Sequence, residues 1–160
     1  MLALTLACKS APSQRPLGMG PVDTGPGSVE YVRRELQGTW ILDRFETVDA
    51  AGQAHAVKAQ ATLTYDQYGN MSVAGRLLEA VAGQPSSSTD NMLHYSGRVV
   101  IDTDKREFRL QSTEGATDPA LQSTVGLDLV RKYEINNNRL TITYVDAQGK
   151  TTARTIFRRQ

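Results

Sequence analysis

A single cysteine and two histidines are all that this chain of 160 residues offers of the side chains that most often bind metals or act as nucleophiles. With no second thiol, a disulfide within one chain is excluded, and the fold must be held by packing. A thiolate zinc site is excluded for a similar reason, since it needs several Cys or His at short spacing. Neither sign of charge is in excess, with 18 basic residues against 17 acidic ones. Bulk electrostatics therefore give no attraction for nucleic acid, and none is expected as a partner. No apolar run approaches the roughly 20 residues that a membrane-spanning helix needs. No glycine-rich loop follows a strand and opens a helix, so nucleotide-binding motifs are missing and no cofactor is expected. The acidic stretches DQYGN and DTDKRE lack the calcium loop of about twelve residues that ends in Glu. Turn-forming Asp and Asn residues explain them better.

The one cysteine has a telling place. The chain opens MLALTLACKSAPSQ, so Cys8 follows a short apolar run with a small residue, Ala7, directly before it. This resembles the end of a bacterial lipoprotein signal peptide, in which Leu, a small or apolar residue, and Gly or Ala precede the lipidated cysteine. Thr5 stands where Leu is usual. The charged start and most of the apolar core of such a peptide are not seen ahead of Cys8, so a start further upstream is expected. The resemblance implies processing before Cys8 and diacylglycerol on its thiol, with a membrane anchor built of several acyl chains. Lys9 in place of Asp would favour the outer membrane, on its periplasmic face. Residues 1–8 then read as a signal remnant and lipobox. Residues 9–27, KSAPSQRPLGMGPVDTGPG, carry four Pro and four Gly with few large apolar side chains, and read as a flexible tether.

From position 28 to 160 about 130 residues remain, enough for one domain with its own core. The first element is a short helix over SVEYVRRELQ, with Ser28 as N-cap, Val29, Val32 and Leu36 as its apolar stripe, and Gly38 as its stop. Everything after it alternates as strands do. The strands expected are 39–49, 61–66, 70–78, 92–102, 106–113, 124–135, 139–146 and 150–159. Turn residues at Ala51-Gly52, Tyr68-Gly69-Asn70, Asp102-Thr103-Asp104, Asn136-Asn137-Asn138 and Ala147-Gln148-Gly149 separate them. One link, LEAVAGQPSSSTDN, is too long for a hairpin, and loops of that length are commonly functional or mobile.

Eight strands in hairpin succession would leave two exposed edges as an open sheet. Rolling the sheet shut removes both and leaves an interior that side chains fill or one small ligand occupies. An all-β, closed eight-stranded antiparallel up-and-down barrel with a short N-terminal helix is expected, as a monomer. A two-sheet sandwich is the alternative.

The stretch ELQGTWILDRFE then becomes informative. A short helix followed by Gly-x-Trp at the first strand of an eight-stranded barrel resembles the lipocalins and the wider calycin group. The succession LQGTWIL, LTYDQYGNMSV, YSGRVVID, LVRKYEINNNRLTI and IFRR resembles the bacterial lipocalin-like domain family over roughly 36–159. That resemblance implies a structural signature: Gly38 at the turn, Trp40 plugging the closed end, and an arginine near the chain end packed across the indole. Arg158 is the first candidate for that arginine and Arg159 the second, with Arg154 farther back. These roles identify a fold and say little about cargo.

Candidate ligand-binding residues follow from alternation and from the long link. Tyr65, Tyr95, Tyr133 and Tyr144 all fall on strands, and inward tyrosines could line a cavity with apolar bodies and hydroxyl tips. Leu77, Leu78 and Val81 should approach an open mouth opposite the Trp40 plug, with Tyr95 near them. The competing reading is a barrel that tyrosines simply fill. His55 in AGQAHAV is expected in a loop and His94 on a sheet face, and no nucleophile motif accompanies either, so an enzyme is not expected. Two functions stay open: a binding module for a small apolar or amphipathic molecule, and an interaction or inhibitor protein working through its loops.

Overall fold

The computed structural model describes residues 24–79, 92–114 and 128–160. Helix α1 spans Val29–Leu36, and nine strands follow: β1 (Gly38–Val48), β2 (Ala54–Val57), β3 (Ala59–Tyr65), β4 (Asn70–Leu77), β5 (Met92–Asp102), β6 (Glu107–Glu114), β7 (Asp128–Asn136), β8 (Arg139–Val145) and β9 (Thr151–Arg159). They pair antiparallel in chain order, and β1 pairs with β9 to close the sheet. β2 and β3 form one stave broken at Lys58. The first half of β1 pairs with β3 and its second half with β2. The result is the closed eight-stranded up-and-down barrel, with one short helix before it.

One expectation is corrected here. His55 is not in a loop: it lies on β2, opposite Thr47 of β1. Its segment AHAV is short and rich in alanine, so local propensity hides a strand that exists because β1 offers it an edge. The strand expected over 124–135 is described from Asp128 onward. Residues 80–91 and 115–127, between β4 and β5 and between β6 and β7, lie outside the described residues.

The hairpin turns repeat one device. At Asp49, Asp66 and Asp146 the sequence reads Asp-x-x-Gly-x, and Gly52, Gly69 and Gly149 take φ of +83°, +86° and +79°. In each, the glycine N–H donates to the Asp carbonyl at 2.9–3.2 Å. The Asp carboxylate accepts further backbone N–H groups, such as those of Tyr68 and Asn70 at 2.8 and 2.9 Å on Asp66. These hydrogen bonds account for the acidic clusters without a metal. Asp66 feels desolvation most strongly, which raises its pKa, yet the hydrogen bonds from Asn70, Tyr68 and Gly69 outweigh it and hold the carboxyl low.

Up-and-down order sorts the barrel into two ends. The turns at 66–69, 103–106 and 137–138 share one end with α1 and the C-terminal residue of β9. The turns at 49–53 and 146–150 share the other with the two long links. Inward residues of the first end make a continuous core around Trp40, Leu63, Tyr65, Met71, Phe108, Leu140 and Phe157, with Leu36 of α1 packed into it. Burial at this scale contributes about 1.5–3 kcal/mol per large side chain.

Candidate functional site

The helix end of the barrel is sealed by a small set of side chains that meet across the whole chain. Ser28 starts α1 by accepting the Tyr31 N–H at 3.2 Å. Val32 and Leu36 turn inward. Gly38, at φ +123°, then swings the chain from helix into β1, a conformation that a side chain would strain. This places Trp40 wholly out of solvent, with its indole N–H donated to the Leu36 carbonyl at 2.8 Å.

The arginine across that ring is Arg159, with its guanidinium carbon 4.2 Å from the ring centroid. The preference for Arg158 is corrected. Phe157 points inward, so strand alternation sends Arg158 outward and returns Arg159 to the inner side, directly opposite Trp40. Arg159 also donates to the Glu35 and Gln37 carbonyls, so it caps the end of α1 while it covers the plug. Helix ends leave such carbonyls unsatisfied otherwise.

The four tyrosines all point into the barrel but not to one place. Tyr65 lies at the sealed end; burial pushes its phenol up, and the Arg33 guanidinium partly offsets this. Tyr133 stacks on Phe108, with ring centroids 6.0 Å apart, and its burial likewise raises the phenol while Arg106 pulls it down. It also lines an open groove of about 440 Å³ between α1 and the turns at 103–106 and 137–138, together with Tyr31, Glu35 and Arg106. Tyr95 and Tyr144 stand farther toward the opposite end, Tyr95 across from Val73 and Tyr144 across from Ala153. Leu77 is buried at the end of β4. Leu78 is 47% exposed and faces away from Leu77, because neighbours on an extended chain point to opposite sides. Val81 and Cys8 lie outside the described residues.

One inward residue escaped the sequence reading. Arg131 on β7 is opposite Phe108 on one side and Tyr144 on the other, so it shares their inward face, and it is only 9% exposed. Its guanidinium carbon lies 4.5 Å from the Tyr144 ring centroid, and one N–H donates to the Val130 carbonyl at 2.9 Å. Alternation along LVRKYEI places Arg131 beside Tyr133 on the inner face, a signal in the sequence that could have found it. Two strands away, Thr155 on β9 is also buried and its hydroxyl has no hydrogen-bond partner among the described residues. On the inward face of β3, β4 and β5, small residues (Ala59, Ala61, Gly75 and Gly97) share the positions with large ones such as Leu63, Val73 and Tyr95.

The two histidines are apart. His55 pairs with Asp49 at 2.9 Å in the exposed rim, and its hydrogen bond is the main cause holding the Asp49 carboxyl low. His94 is exposed on β5 opposite Ala74.

Compared with protein-family models and with curated proteins, the sequence matches none. The fold stands on its own evidence: a closed eight-stranded antiparallel barrel, consistent with a calycin-like fold.

Proposed function

We propose that this protein is a lipocalin-like binding module of the bacterial cell envelope, holding a small apolar or amphipathic molecule in its barrel. The observation that carries the reading is the difference between the two barrel ends. One is closed by α1, Trp40 and Arg159, while among the described residues no helix or side-chain plug covers the other. A barrel open to cargo needs one end plugged and the other free to admit it. Cys8, after Ala7 and before a Pro- and Gly-rich stretch, supports lipidation and a tether that reaches from the membrane to position 28.

A second reading has its own observation. The groove between α1 and the turns at 103–106 and 137–138 opens at the sealed end of the barrel and would serve a protein partner rather than a cargo. Native mass spectrometry of the protein extracted from its own membrane separates the two. A co-purified small molecule, with the mass of acyl chains on Cys8, supports the envelope binding module. A bare polypeptide mass, with an unmodified Cys8, refutes the anchor and moves the surface reading ahead.

A further inference from the structure

We infer that the cargo carries an anionic head group and that Arg131 is the residue that receives it. The inference rests on the barrel holding cargo at all, and adds the charge that the cargo must have.

The reasoning starts from the cost of burying an arginine. Its guanidinium does not lose its proton at any ordinary pH, so burial cannot be relieved by neutralisation. Removing such a charge from water costs several kcal/mol even after the protein relaxes. Buried charges are therefore paired in nearly every fold. Arg131 breaks that pattern: among the described residues no carboxylate pairs with it. Its compensation there is the Tyr144 ring face and one carbonyl, that of Val130. A guanidinium has five N–H donors, and none of the remaining Arg131 nitrogens is a buried atom without a partner, so they are open to solvent or to a ligand.

The surroundings say what that ligand is. The arginine lies on the inner face of the barrel, above the Trp40 layer, opposite Tyr144 of β8; the unpartnered Thr155 hydroxyl lies on the same face of β9, opposite Ile142. The planar fork of arginine matches a carboxylate, sulfonate or phosphate in a two-pronged contact that lysine cannot reproduce. Around it the inward residues are apolar, such as Ile142, Leu110 and Val73. A single anion on an apolar chain or ring system satisfies both parts. A neutral hydrocarbon would leave the arginine unpaired, and a strongly polar anion would waste the apolar walls.

The test uses two fluorescent probes of nearly the same shape on the full chain: anilinonaphthalene sulfonate, which is anionic, and N-phenylnaphthylamine, which is neutral. Arg131→Met should weaken the sulfonate about tenfold or more, the scale of a lost charge-assisted hydrogen-bond pair, and leave the neutral probe within about twofold. Arg131→Lys should fall between. Dodecanoate should displace the neutral probe from the native protein at lower concentration than dodecanol does. Neutral-probe binding with equal displacement by dodecanoate and dodecanol would overturn the anionic head group while leaving the cargo reading intact. Sulfonate affinity unchanged in a folded Arg131→Met protein would do the same. Failure of the native protein to bind either probe would remove the cargo reading itself, and this inference with it. Should Arg131→Met not fold, the dodecanoate and dodecanol comparison decides on the native chain.

Discussion

Arg159 lies with its guanidinium carbon 4.2 Å from the centre of the Trp40 ring and donates to the carbonyls of Glu35 and Gln37. The last strand thus holds the first one and the helix before it, so that one side chain joins the barrel plug, the closing strand pair and the helix cap. Trp40 adds a hydrogen bond to the carbonyl between those two, that of Leu36.

Removing the plug should therefore be costly. Trp40→Ala is expected to destabilise the fold by about 3–5 kcal/mol in urea denaturation. Arg159→Ala should cost about 1–2 kcal/mol, and the double variant should show coupling of at least about 0.5 kcal/mol. Arg158→Ala, on the exposed side, should stay within about 0.5 kcal/mol. Equal losses for Arg158→Ala and Arg159→Ala would contradict this placement.

Gly75 marks where β3 and β4 come closest. A Cβ there would run into the Gln60 carbonyl and lie 2.5 Å from the Ala61 Cβ, so backbone rather than a flexible side chain would have to move. Gly75→Ala should cost about 1–3 kcal/mol despite adding a single methyl group. A variant as stable as the parent in the same denaturation experiment would show that the strand pair yields more easily than its geometry implies.

The turn aspartates set the acid limit of stability. Asp49, Asp66 and Asp102 all have carboxyls held below their ordinary value, by His55 first at Asp49, by the Lys105 backbone N–H first at Asp102, and by hydrogen bonds that outweigh desolvation at Asp66. A carboxyl lowered in the folded state stabilises fully above its unfolded pKa of about 3.9, and this share is lost as pH falls through the lower folded value. Melting temperature should accordingly hold from pH about 7 to about 5 and drop below about 4. Asp66→Asn should drop less over the same interval; a drop identical to the parent would exclude Asp66 as a contributor.

The anchor is tested in cells. Cys8→Ser, made in the native chain with its true start, should shift the protein out of the membrane fraction. Continued membrane association of the serine variant would rule out lipidation at Cys8 as the tether.

Local chemistry in the sequence was enough to determine the architecture. Strand alternation, Asp-x-x-Gly turns and the Ser28 and Gly38 helix signals each act over a few residues, and together they specify eight antiparallel staves and a helix. The plug was legible as well, because Gly38-Thr39-Trp40 is contiguous. What depended on contacts between distant strands was not. β2 is strand only because β1 supplies its hydrogen bonds, so AHAV read as loop. The choice of Arg159 over Arg158 needed the register of β9 against β1, which decides the face on which each neighbour falls. Arg131 is the clearest case. Its place on β7 was legible, but its burial was not, because only closure of the barrel, with Phe108 and Tyr144 on either side, encloses it.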